Sequence, residues 1–116
     1  MEDGKVLDVQ QWRVEVAAVI HDINNHVQKA EISSLDITDD FIYFNVTTLE
    51  GSDYCIQMSR NGFLIAGVCH DSATLESDVY FETPYALLDS ISPKYRESFA
   101  RNLMDRLNAL SENKQC

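Results

Sequence analysis

The chain has 116 residues, 45% hydrophobic and 24% charged, with 19 acidic against 9 basic side chains and a formal charge of -10. Those values fit one folded domain with a single core and exclude a disordered segment. The negative field repels phosphate backbones and anionic lipid surfaces, so nucleic-acid and membrane-surface roles are set aside.

Residues 1–10 are polar and lack a period, and are expected to form a flexible leader to a single domain spanning 11–112. Over 11–30 the apolar residues Trp12, Val16, Val19, Ile20, Ile23 and Val27 recur at three- and four-residue steps, which predicts an amphipathic helix. Residues 31–40 read as a connection, with a short extended piece near 32–35 and a turn at Asp39-Asp40. Residues 41–47 are β-branched and aromatic and read as a strand with Ile42, Phe44 and Val46 on one face. Gly51 turns the chain into a second strand, 53–59, where Tyr54, Ile56 and Met58 share a face. Asn61-Gly62 predicts a type I′ hairpin turn, with a returning strand over 63–69 in which Gly67 marks a bulge or close packing. An acidic loop, 70–78, and a short edge strand at 79–81 follow.

Thr83-Pro84 and Ser92-Pro93 are two copies of a helix signature, a hydroxyl N-cap followed by a first-turn proline. The first opens a helix to about residue 89 and the second the terminal helix, with 113–116 as a frayed tail. The fold class is therefore α+β: an N-terminal helix, an antiparallel meander of three to four strands and two C-terminal helices.

In the terminal helix Phe99, Leu103, Leu107 and Leu110 fall within an arc of about 80°. Arg106 flanks this stripe, while Lys94, Arg101, Asp105 and Asn108 occupy the opposite side. Periodicity alone favours an ordinary core-facing helix. The alternative is a helix that lays its stripe into a groove on a partner.

Residues suited to catalysis are few. Cys69 and His70 are adjacent at a predicted strand end, so they point to opposite faces, and the expectation is a packed cysteine beside an exposed histidine. His21 and His26 stand about 140° apart on a helix, which prevents shared metal ligation. Asp36, Asp39 and Asp40 lack the alternation of a calcium loop, and none of the four glycines forms a phosphate-binding array. No enzyme activity, cofactor or metal is expected. Three widely spaced cysteines, Cys55, Cys69 and Cys116, argue for a reducing compartment, and Asn45-Val46-Thr47 is read as a chance sequon inside a strand. With no basic start and apolar run of a secretory signal, the expected location is the cytoplasm, with the nucleus open to a chain of this size.

One resemblance covers most of the chain, residues 14–110. Asp39-Asp40 with Tyr43, Asn45 and Val46, then Tyr54-Cys55, begin it. Tyr80, Glu82-Thr83, Tyr85, Leu87-Leu88-Asp89, Ser92-Pro93, Tyr95-Arg96-Glu97 and Phe99 to Leu110 make it dense. In this register the chain resembles the glycogen synthase kinase 3 beta-interacting protein family, a domain also similar to a module of the clustered-mitochondria proteins. The resemblance implies a non-catalytic regulator that binds glycogen synthase kinase 3 through its last helix, which is similar to the kinase-binding segment of the scaffold axin. Inhibition would follow from competition with scaffolds such as those of Wnt signalling. Carried over by residue, the kinase-binding positions are Phe99, Leu103, Met104, Arg106, Leu107 and Leu110. The competing reading is a structural domain whose last helix is core or a self-association interface. The resemblance further implies a second site on the first helix, where Val19, Ile20, Ile23 and Val27 would meet the type II regulatory subunit of protein kinase A. Asn24 interrupts that stripe, and burying its amide would cost about 1–3 kcal/mol, so core packing is the favoured role of this helix.

Overall fold

The computed structural model describes residues 8–114, apart from the side chains of Phe99, Asn102 and residues 109–114. The order is α1 (Val9–Ile23), a single 3-10 turn (Asn24–His26), β1 (Lys29–Ile32), β2 (Phe41–Thr47), β3 (Asp53–Ser59), β4 (Gly62–Gly67), α2 (Pro84–Ile91) and α3 (Pro93–Lys114). The four strands form one antiparallel sheet in the order β1-β2-β3-β4. This is the α+β class read from the sequence, although the fourth strand lies before the meander and not after it.

The first helix begins earlier and ends sooner than its apolar period suggests. Asp8 and Gln11 form a reciprocal capping box, so Val9 and Gln10 belong to α1 and not to a leader. Residues 1–7 of that proposed leader, and residues 115 and 116 of the proposed tail, lie outside the described residues. Asn24-Asn25-His26 are poor helix formers, and at Val27 the backbone is already extended, with φ -142° and ψ 163°. Val27 still reaches the core, but from the approach to β1, which pairs Ala30 with Val46 and Ile32 with Phe44.

Two details of the meander also differ from expectation. Ser59 pairs with Gly62, so the hairpin loop is Arg60-Asn61. Only Gly62 has a positive φ there, +118°, as in hairpins that place a left-handed glycine after the turn. A Cβ on Gly62 would run into the carbonyl of Phe81, whose backbone pairs with Phe63 as an isolated bridge. That bridge is all that exists of the edge strand expected at 79–81. Gly67 serves both roles read for it: the register shifts beside its partner Cys55, and a Cβ there would collide with the Ser72 carbonyl.

One face of the sheet carries Ile42, Phe44, Val46, Ile56, Met58 and Phe63 against Trp12, Val16, Ile23, Leu87, Leu88 and Tyr95. Phe44 and Phe63 meet edge to face at 6.3 Å, and the Trp12 indole donates to the Asp39 carbonyl at 2.8 Å. The opposite face is not left to solvent. Asn45, Cys55, Leu64 and Ala66 are buried there, beneath the segment that follows β4.

Asp71, in the left-handed conformation at φ 56°, ties that segment down. One of its carboxylate oxygens accepts from Ser33 Oγ at 2.7 Å, Ser34 N at 2.8 Å and Asn45 Nδ2 at 2.9 Å, and its own amide donates to Asn45 Oδ1 at 2.9 Å. Donation by Asn45, then by Ser34 and Ser33, holds the carboxyl far below the ordinary carboxylate range.

Asn45 is the buried half of this latch. Asn45→Ala removes two hydrogen bonds and is expected to lower unfolding free energy by about 1–3 kcal/mol in urea titrations, with faster amide exchange over residues 68–80. Because the Asp71 pKa is depressed on folding, its stabilisation is complete above the ordinary value of 3.8 and is lost as pH falls below it. The alanine variant should therefore lose less stability on acidification than the parent chain.

Candidate functional site

Ser92 is both the C-cap of α2 and the residue before α3, so one residue joins the two helices. Pro93 forces it out of the helical region, and it sits at φ -137°, ψ 97°. Its amide closes α2 on the Leu88 carbonyl at 2.8 Å, and its hydroxyl caps α3 by accepting from Tyr95 N at 3.0 Å. The same hydroxyl donates to Glu50 Oε1 at 2.8 Å, while Glu50 Oε2 accepts from Lys94 N at 2.7 Å. Pro93 has no N–H, so the first three residues of α3 leave no amide without a partner. Burial works against the charge on Glu50, but the Lys94 amide and the Ser92 hydroxyl hold its pKa below the ordinary carboxylate value.

The next turn of α3 is fastened from two other sides. Arg96 donates through Nε to the Asp89 carboxylate at 2.8 Å and through Nη2 to the Asp89 carbonyl at 3.1 Å. Ser98 Oγ lies 3.1 Å from His26 Nδ1, and the His26 ring meets Tyr95 edge to face at 5.5 Å. Tyr95 is buried, and that burial, with Asp89 and Tyr85 nearby, pushes its phenol pKa up.

Beyond Ser98 the helix leaves the body of the protein. Every described side chain from Ala100 to Asn108 is exposed, including Leu103 at 50%, Met104 at 55% and Leu107 at 50%. A 22-residue helix is about 33 Å long, so most of it projects. The Cα radius of gyration, 16.4 Å, exceeds the roughly 13 Å of a compact chain of this length for the same reason. The core-facing reading of the stripe is thus overturned for Leu103 and Leu107, which are half exposed and outside the buried core. Phe99 and Leu110 belong to α3, but their side chains lie outside the described residues. Arg106 is exposed beside the stripe.

The first helix is built in the opposite way. Ile23 and Val27 are buried and Val19 and Ile20 are packed against the same core. Ile23 at the end of α1 and Val27 on the approach to β1 are closed to a partner in this arrangement, while Val19 and Ile20 are partly exposed.

The structure also places the other residues singled out as chemistry-bearing. Cys69 is exposed, not packed, and His70 is the half-buried member of the pair, the reverse of the expectation. The chain turns after β4, which aims His70 Nε2 at Thr47 Oγ1 (3.1 Å) and Asp53 Oδ1 (3.4 Å). Cys55 is fully buried, and desolvation pushes its thiol pKa up, away from reactivity. Among the described residues no group of three or more His, Cys, Asp or Glu side chains is arranged to hold a metal, and no helix is long and apolar enough to cross a membrane.

Sequence reasoning missed Glu50, Asp89 and His26, which fasten the helix. Each lies far along the chain from its partner, or on another element, and no local spacing connects them.

A family model for the GSKIP domain matches residues 12–110. The chain is 38% identical over 114 residues to the GSK3-beta interaction protein of Danio rerio, covering 93% of this chain and 83% of that one. It is 37% identical over 110 residues to the GSK3B-interacting protein of Homo sapiens, covering 93% and 79%. To the GSKIP homolog of Drosophila melanogaster it is 38% identical over 60 residues, about half of each chain at 49% and 50%. The stripe-bearing helix with its packed base, and the sheet that holds it, are therefore those of a protein that belongs to the GSKIP domain family.

Proposed function

We propose that this protein is a non-catalytic regulator that binds glycogen synthase kinase 3 by laying α3 into a groove of the kinase. The observation that carries the reading is the exposure of Leu103, Met104 and Leu107 on a helix whose base is fastened to the domain. An apolar stripe of this kind on a soluble chain is what helix-in-groove recognition uses. The names of the relatives supply the partner. Phe99, Leu103, Leu107 and Leu110 are the proposed anchors, Met104 an adaptable neighbour, and Arg106 a contact for an acidic rim residue. Burial of a leucine at the centre of such a site contributes about 2 kcal/mol or more. Inhibition follows from occupying the groove that scaffolds use, with no contact at the kinase active site.

Leu103→Ala/Leu107→Ala tests this directly, because both side chains are half exposed in the free protein. Unfolding free energy should stay within about 1 kcal/mol of the parent chain. Affinity for purified kinase, by calorimetry, should fall about thirtyfold or more. Wild-type affinity in this variant would remove the assignment. Light scattering on the same samples reports self-association through the stripe as a mass that rises with concentration and drops in the double variant.

Leu107→Pro gives a second measure. Proline removes a backbone hydrogen bond and breaks the helix within the stripe, far from the core. The variant should keep the thermal midpoint of the sheet domain and lose kinase binding in a pull-down.

A further inference from the structure

Glu50 has no place in the docking stripe, and it lies on the β2–β3 turn, 42 residues from Ser92. Its carboxylate is nevertheless the only group outside the helix pair that takes hydrogen bonds from both Ser92 and Lys94 among the described residues. We propose that Glu50 is a positioning residue for the docking helix: it fixes the direction of α3 and nucleates its helical state, so that the stripe is presented ready formed. This inference rests on the reading of α3 as the docking segment.

Three features of the molecule support it. First, the joint between α2 and α3 is a single residue, so the angle of α3 is set by whatever holds Ser92 and the first turn. Second, every described side chain of α3 beyond Ser98 is exposed, and a helix with few tertiary contacts is marginal in water because its first turn is costly to form. A carboxylate bonded to the Lys94 amide supplies that first turn and places negative charge at the positive end of the helix dipole. Third, Glu50 acts together with Ser92, whose hydroxyl donates to Glu50 and so leaves its lone pairs to the Tyr95 amide. Neutral replacements break this arrangement differently. Glutamine keeps one good acceptor and turns an NH2 group towards the other donor, whereas alanine removes both acceptors.

A partner that accepts only the formed, correctly aimed helix sees an affinity reduced by the fraction of molecules in that state. Four variants of the 116-residue chain are compared with the parent: Glu50→Ala, Glu50→Gln, Glu50→Ala/Asn108→Ala and Leu107→Pro. Each is measured for affinity to purified glycogen synthase kinase 3, and in the free state for amide exchange over residues 100–108. Glu50→Ala should exchange faster over 100–108 while β2 and β3 keep their protection, and should bind the kinase about tenfold more weakly. Glu50→Gln should fall between the two. Adding Asn108→Ala, an exposed change on the far side of the stripe that favours helix, should return about two- to threefold of the affinity lost in Glu50→Ala. A purely structural effect of Glu50 on the sheet would not respond to Asn108→Ala. Wild-type affinity with unchanged exchange in Glu50→Ala overturns the proposal, provided Leu107→Pro has lost binding. If Leu107→Pro binds as the parent does, it is the docking reading that fails, and exchange over 100–108 alone judges the clasp. Should Glu50→Ala not fold, Glu50→Gln carries the same comparison, with exchange and affinity moving together or the proposal falling.

Discussion

The arrangement of this protein turns on the hydrogen bonds at Ser92. One buried hydroxyl, with one carboxylate from a distant turn, completes the amides at the start of α3 while the Ser92 backbone finishes α2. Helix termini leave polar groups that must be paired when buried, and Ser92 is only 1% exposed. Without Glu50 the buried Ser92 hydroxyl would lose its acceptor and the Lys94 amide its protein partner. With it, the junction becomes the fixed point from which a long helix can leave the domain.

That fixed point divides α3 into two parts with different physics. From Pro93 to Ser98 the helix is held by capping, by Arg96 on Asp89 and by the His26–Tyr95 contact. Beyond Ser98 the described side chains are exposed, and the intrinsic preferences of residues 99–114 are mixed, with three Leu, two Arg and two Ala favouring helix and three Asn opposing it. Its charge is distinct as well. Residues 93–116 hold five of the nine basic side chains and three of the nineteen acidic ones, so this segment is positive within a chain of -10. A basic helix carried by an acidic body suits a partner with an acidic groove and discourages other anionic surfaces.

The base of α3 stands on a sheet that is covered on both faces. Helices cover one face of the sheet, and on the other the segment after β4 is latched by Asp71 to Ser33, Ser34 and Asn45. This segment would otherwise leave Cys55, Leu64 and Ala66 in solvent on an open face. The β2–β3 turn that carries Glu50 thus extends from a sheet covered on both faces.

By itself the sequence determined the strands β2 and β3, the two Ser/Thr-Pro helix starts, the α+β class and the apolar stripe of α3. Those features are local: alternation, capping chemistry and helical period each need only a few neighbouring residues. It also carried the family register, since 12–110 matches the GSKIP domain. What it left open was decided by contacts between distant residues. The stripe of α1 and the stripe of α3 have the same period, yet Ile23 is buried and Leu107 is half exposed, because α1 lies along the sheet and α3 is directed away from it. The period of residues 93–110 does not encode that direction. It comes from Glu50, Asp89 and His26, brought to one corner only when the chain folds, and burial is a property of where an element points as much as of what it contains.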